Sequence, residues 1–315
     1  MKYIDMHCDT LVECYCNDEG LRKNSFHIDF ERLNKNNSMA QFFAIFIPRE
    51  ETTDKGRSPY DFFLDVYDFY KKELIKNKDI IRPAHSYNEL KKNTEDSIPS
   101  SILTIEDADF LKKKIERVED VYKKGVRLIT LTWNNENCVG FPNSDKPEVN
   151  QKGLKEFGFE VVEEMNRLGM IIDVSHLSEG GFYDVLRHSR RPVVASHSCA
   201  RSLCNHPRNL DDMQLKAIAE KGGLVGVNFN SEFLKENSKT STVCDIAEHV
   251  KYMVSVMGID HVGLGSDFDG IDCMLEIKDY SYYNLLVAEL EKNFSQDEIE
   301  KICYKNSLRI LKECL

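Results

Sequence analysis

At 315 residues and 41% hydrophobic, the chain is long enough to bury a sizeable core and lies in the ordinary size range of one elaborated βα barrel. Its net charge of −11, from 42 basic and 53 acidic residues, disfavours a nucleic-acid partner, because affinity for a phosphate backbone rests on cationic neutralisation. No apolar run reaches the roughly 18–20 residues that span a bilayer, and ten dispersed cysteines without a CxxC read as reduced thiols, not as a disulfide framework or a zinc ribbon.

Strand-like apolar runs occur at 2–6, 40–47, 101–105, 126–131, 170–174, 192–196, 223–228 and 261–265. Most are separated by enough chain for a helix, and eight such runs alternating with helices predict an α/β fold, a TIM-like (β/α)8 barrel, as a single domain over 1–315. The first run starts too early for a secretory leader to precede it, so the expected location is cytoplasmic, with no membrane partner. Apolar residues three and four apart predict helices over 60–76, 151–168, 211–221 and 243–257, and Gly125, Gly169 and Gly258 are the expected stops before the next strand. Polar stretches at 48–58, 134–150 and 229–242 each follow a strand. The first two read as active-face loops, the third as a lid or a linker. Additional C-terminal helices, two in number, are expected beyond residue 280.

Five metal-type side chains stand at the ends of these runs. In Tyr3-Ile4-Asp5-Met6-His7-Cys8-Asp9 the strand period of two puts His7 and Asp9 on one face and Cys8 on the other. By itself an HxD pair equally marks a buried histidine bonded to an aspartate. Glu106 ends the run 101–105, while His176 and His197 follow the runs 170–174 and 192–196, each directly after a serine. Catalytic groups of a βα barrel sit at the C-terminal strand ends, and three histidines with two carboxylates suit a borderline cation such as zinc better than magnesium or calcium. Strand eight leads into Gly265-Ser266-Asp267-Phe268-Asp269-Gly270, which makes Asp267 the candidate general base and acid, whereas Asp269 either shares its face or forms the turn into Gly270. Arg208, in the loop after strand six, is suited to clamp a carboxylate bidentately, the alternative being a surface salt bridge. His27, His85, His188, His206, His249 and His261 lack strand-end company and read as structural or exposed.

Taken in order, His7-Cys8-Asp9-Thr10, Glu106-Asp107, Asp173-Val174-Ser175-His176, Ser196-His197-Ser198 and the Gly265–Gly270 segment resemble the membrane (renal) dipeptidase family of zinc metallopeptidases, in its soluble bacterial form. Pro207-Arg208-Asn209-Leu210 is similar to the family's Arg-Asn segment. The resemblance implies two Zn2+ per chain, with His7 and Asp9 on one, His176 and His197 on the other, and Glu106 bridging both. It further implies water-driven hydrolysis of small dipeptides, tolerance for a D-residue at the C-terminal position, and often a homodimer. Arg208 would then hold the substrate's free carboxylate. One departure stands out: Leu131-Thr132-Trp133-Asn134 places the single tryptophan where animal members carry a substrate-contacting histidine, so Trp133 is a candidate substrate-binding residue. The residues also leave open another amidohydrolase-like barrel, acting on an amide, a lactone or a deamination substrate, and a non-catalytic metal-binding barrel.

Overall fold

The structure is a computed structural model that describes residues 1–49 and 57–315. All eight expected runs form strands: β1 (Tyr3–Asp5), β2 (Ser38–Phe46), β3 (Ser100–Glu106), β4 (Val126–Thr130), β5 (Ile171–Asp173), β6 (Val193–Ser198), β7 (Leu224–Val227) and β8 (Val262–Leu264). Their order is β2-β1-β8-β7-β6-β5-β4-β3, every pairing is parallel, and β2 pairs with β3 from Ala40↔Ser100 to Phe46↔Glu106. That last pairing closes the sheet into a barrel. A two-residue strand, Arg82–Pro83, adds to the start of β3 outside the ring.

The strands are apolar on both faces because both are covered, as in parallel sheets generally. Ile4, Met6, Phe42, Ile102, Leu128, Ile171, Val194 and Leu224 form the barrel interior, whereas Phe43, Ile105, Ile129, Ile172, Ala195 and Val225 pack outward with the helices. The expected helices form at Pro59–Lys76, Glu156–Leu168, Asp212–Glu220 and Val243–Met257. The second begins later than its apolar period suggests, because the Asp184 carboxylate accepts the Leu154 N–H at 2.8 Å and holds the approach outside the helix. Gly169 ends it in the left-handed region at φ 81°, which glycine adopts without steric cost. Shorter helices at Thr10–Cys16, Phe30–Lys35, Tyr87–Glu95, Glu116–Lys123 and Glu179–His188 complete the outer layer.

The 229–242 stretch packs against its neighbours. It holds a helical turn, Ser231–Leu234, and a strand, Thr240–Ser241, that pairs with Met274–Leu275, while Asn209 Nδ2 donates to the Phe233 carbonyl at 2.8 Å. Of the 48–58 stretch, residues 50–56 lie outside the described residues. Among the described residues no helix is long and apolar enough to cross a membrane.

Beyond residue 280 the chain forms Tyr283–Leu290 and then a second helical rod, Gln296–Glu300, which runs through a π-helical segment at Lys301–Lys305 into Asn306–Cys314. The rod closes the barrel end opposite the strand C-termini. Ile310 and Leu311 join the interior cluster, Asn306 Nδ2 donates to the carbonyls of Ile259 (2.7 Å) and Val262 (2.8 Å), and Arg309 donates to those of Gly222 and Gly223. Leu311→Ala is therefore expected to destabilise the protein by about 2–5 kcal/mol in urea unfolding, as buried leucine truncations do. A loss below about 1 kcal/mol would contradict the plug role.

Candidate metal centre

The five strand-end side chains and Asp267 meet at the C-terminal mouth of the barrel. His7 Nε2 lies 3.2 Å from Asp9 Oδ2, 3.5 Å from Glu106 Oε2 and 3.7 Å from Asp267 Oδ1. On the other side, Glu106 Oε1 lies 3.0 Å from His176 Nε2 and 3.5 Å from His197 Nε2, and these two nitrogens are 3.0 Å apart. Glu106 thus turns Oε2 to His7 and Oε1 to His176 and His197, and the donor atoms of His7, Glu106 and His197 also lie within 4.8 Å of one another. All six residues are buried.

Several local features fit a cation at this place. Asp9 is the N-cap of the helix Thr10–Cys16, where an aspartate ordinarily accepts a backbone N–H, yet it makes no capping bond and its Oδ1 is buried without a partner. The ring of His176 donates Nδ1–H to Asn134 Oδ1 at 2.8 Å, so its Nε2 lone pair points at the Nε2 of His197. Without a cation or a proton between them, such lone pairs repel. Electrostatics agree: burial pushes the Asp9 carboxyl up to about 6 and Asp267 up to about 7. Burial opposes a charge on His7, but Glu106 and Asp9 outweigh it and hold the imidazole well above its usual range. Burial, together with Arg208, brings His176 down to about 4. The donor set of imidazoles and carboxylates fits zinc-type ions.

Asp267 Oδ2 accepts Asn228 Nδ2 at 2.8 Å, which leaves Oδ1 turned towards His7. Asp269, although it shares the loop, is engaged elsewhere: its carboxylate accepts from Thr10 Oγ1 and from the His27 N–H, and it pairs with the His27 ring. Asp107, His176, Asp267 and Asp269 have φ of 73°, 67°, 63° and 69°. Non-glycine residues in this region carry strain that concentrates at functional sites.

Above the centre opens a cavity of about 590 Å3, lined by Asp9, Glu106, His176 and Asp267 below and by Phe46, Trp133, Arg208 and Phe233 around the sides. Arg208 is only 5% exposed, and among the described residues it forms no ion pair. Its guanidinium donates to the His197 carbonyl at 3.1 Å, lies 5.3 Å from the Phe233 ring centre and leaves Nε unpartnered, so the surface salt bridge is not formed. Trp133 stands past the end of β4, half-buried, with its ring edge-on to Phe46 at 4.8 Å. It is a wall of the cavity, not barrel filling. His206 also lines the cavity, which its sequence context did not suggest.

The sequence profile of the membrane dipeptidases, peptidase family M19, matches residues 1–314. The chain belongs to this family. The dipeptidase tcpJ of Claviceps purpurea is 30% identical over 295 residues, covering 91% of this chain and 69% of that protein. An uncharacterised protein from the pqqA 5' region of Klebsiella pneumoniae is 34% identical over 264 residues, 81% of this chain and 96% of that one. Among solved structures, a metallopeptidase from Rhodobacter sphaeroides, liganded with a phosphinate mimic of L-Ala-D-Ala, superposes with a TM-score of 0.91 at 26% identity, covering 100% of this chain and 99% of that one. The protein is thus an enzyme, a metallo-dipeptidase, and the barrel agrees with that of its relatives.

The groups that hold this dipeptidase's site in place are two buried aspartates and their serines, of which Asp173, Ser196 and Ser266 stand in the sequence motifs without an assigned role. Asp5 accepts from Ser266 N (2.9 Å), Ser266 Oγ (2.7 Å) and Tyr283 OH (3.0 Å), and Asp173 accepts from the corresponding atoms of Ser196, at 2.9 and 2.5 Å. The signal was present as an aspartate shortly before His7 and His176 and a serine directly before His197 and Asp267. Gly270 is fixed by close approach: a Cβ there would lie 2.2 Å from Asp9 Oδ2 and 2.7 Å from Asp267 Oδ1. Gly270→Ala is expected to lower dipeptide kcat/KM by about 10²-fold with little change in Tm, since displacements on the order of 1 Å have that effect in active sites. Unchanged activity would show that the two carboxylates do not need their present positions.

Proposed function

We propose that this chain, as one hydrolase domain, is a binuclear zinc dipeptidase in which His7 and Asp9 hold one ion, His176 and His197 the other, and Glu106 bridges them. The observation that carries the reading is the two-sided Glu106, each oxygen facing its own group of buried donors. When bound, the two cations supply Lewis-acid polarisation of the scissile carbonyl and a water acidic enough to attack near neutral pH. Asp267, whose Oδ1 is turned towards His7, takes the proton of the attacking water and returns it to the leaving amine. Arg208 binds the free carboxylate of the dipeptide, because a buried guanidinium without an anion is costly and a substrate carboxylate supplies one. The L-Ala-D-Ala mimic held by the Rhodobacter sphaeroides relative supports acceptance of a D-residue at the C-terminal position here. Among the described residues no lysine lines the cavity, which weighs against an amidohydrolase site bridged by a modified lysine. The ten unpaired cysteines favour a reducing compartment such as the cytoplasm.

Elemental analysis after zinc reconstitution should find about two equivalents per chain, and Asp267→Asn should keep both while lowering kcat by about 10²–10⁴. Asp269→Asn, which alters only the Thr10 and His27 anchor, should affect kcat less. Fewer than about one zinc per chain, or loss of zinc from Asp267→Asn, contradicts the assignment.

Trp133 and Phe46 together present an apolar wall beside His176, and an indole can donate one hydrogen bond but accept none. Trp133→His should therefore change the ranking of dipeptides by kcat/KM at constant zinc content. A uniform fall across substrates with a lower Tm would instead assign Trp133 a packing role.

A further inference from the structure

Asp173 ends β5, is fully buried and lines no part of the substrate cavity. Its Oδ1 accepts two backbone N–H groups, from Ser175 at 3.0 Å and Ser196 at 2.9 Å. Its Oδ2 accepts two hydroxyls, from Thr130 at 2.7 Å and Ser196 at 2.5 Å. A carboxylate in this setting only accepts. The single proton of the Ser196 hydroxyl therefore points at Asp173.

The same hydroxyl lies 2.7 Å from His197 Nδ1. With its proton engaged by Asp173, Ser196 can only accept from the ring, so Nδ1 of His197 carries the hydrogen and Nε2 carries the lone pair. That Nε2 faces Glu106 Oε1 and His176 Nε2. His176 is oriented separately, through Asn134, and the Nδ1 of His7 is buried without a partner. Among the described residues, His197 alone of the three histidines has its Nδ1 linked to a buried carboxylate, through one serine.

We propose that Asp173 is a positioning residue that sets the tautomer of His197 by fixing the direction of the Ser196 hydroxyl, and so prepares the His176–His197 side of the centre for its ion. The substitution Asp173→Asn tests this by reversing polarity at nearly constant shape. The amide oxygen must stay with the two backbone N–H groups, so the amide nitrogen replaces Oδ2 and donates to Ser196 and Thr130. Ser196 then directs its own proton at His197 Nδ1. The ring is driven to the Nε2–H tautomer, which has no lone pair for a metal.

The experiment uses the full chain, stripped of metal by a chelator and labelled with ¹⁵N-histidine. Long-range ¹H–¹⁵N correlation spectra are recorded at about pH 8, where an ordinary imidazole is neutral, and His197 is identified by its absence in His197→Gln. The wild type should show Nδ1–H at His197 and Asp173→Asn should show Nε2–H. Zinc titration against a chromophoric chelator should find one of the two equivalents weakened by about 10–100-fold in Asp173→Asn, the usual scale for a group behind a metal-ligating histidine, with the other changed by less than about twofold. Only this titration rests on the two-ion reading. If the wild type takes up fewer than about one zinc, that reading fails while the tautomer measurement still decides the role of Asp173. An Nδ1–H ring in both proteins overturns the proposal even where the wild type binds two ions. Should Asp173→Asn fail to fold, Ser196→Ala decides. It should weaken one equivalent without lowering the Tm of the metal-free protein, and equal weakening of both equivalents with a lowered Tm overturns the proposal.

Discussion

The structure depends on one electrostatic constraint: three carboxylates and three imidazoles are buried within a few ångströms of one another at a single mouth of the barrel. His7 Nδ1 and Asp9 Oδ1 are left buried without a partner. Burial raises Asp9 and Asp267 towards neutrality while Glu106 and Asp9 favour a charge on His7, and the Nε2 atoms of His176 and His197 lie 3.0 Å apart. Positive charge at the centre, such as the metal cofactor of a metallo-dipeptidase carries, suits every donor at once. Asp9 forgoes its helix cap, Asp267 and His176 hold strained backbone angles, and position 270 admits only a glycine, all in service of that convergence.

The barrel tolerates such a site because its two ends do different work. At the strand N-termini the last helix seals the interior with Ile310 and Leu311, and its Asn306 and Arg309 satisfy carbonyls where β7 and β8 begin. Apolar packing there holds the strands rigid. At the strand C-termini the chain leaves the sheet, and hydrogen bonds orient His176, His197 and Asp267. Asp5 ties β1 to the β8 loop through Ser266, and Asp173 ties β5 to β6 through Ser196, so two buried aspartates brace opposite sides of the centre. Arg208 adds a cation at the rim that forms no ion pair among the described residues, which suits a site built to receive a carboxylate.

The sequence by itself determined the eight strands and the identities of the convergent side chains. Parallel strands covered on both faces must be apolar throughout, so they stand out as runs, and ligands placed at strand ends inherit that visibility. It also carried the family's motifs in order. What it did not carry was the phase of the chain around each ligand. Ile4 and Met6 face the interior, yet Cys8 packs outward, because β1 ends at Asp5 and the chain turns before His7. Short helices such as Glu179–His188 have too few turns to show a period. The partners that orient the site, Asn228 for Asp267, Asn134 for His176 and Ser196 with Asp173 for His197, were decided only by the tertiary structure. A hydrogen bond between distant residues leaves no periodic trace in either stretch of chain, and it exists only once the closed barrel brings neighbouring strand ends together.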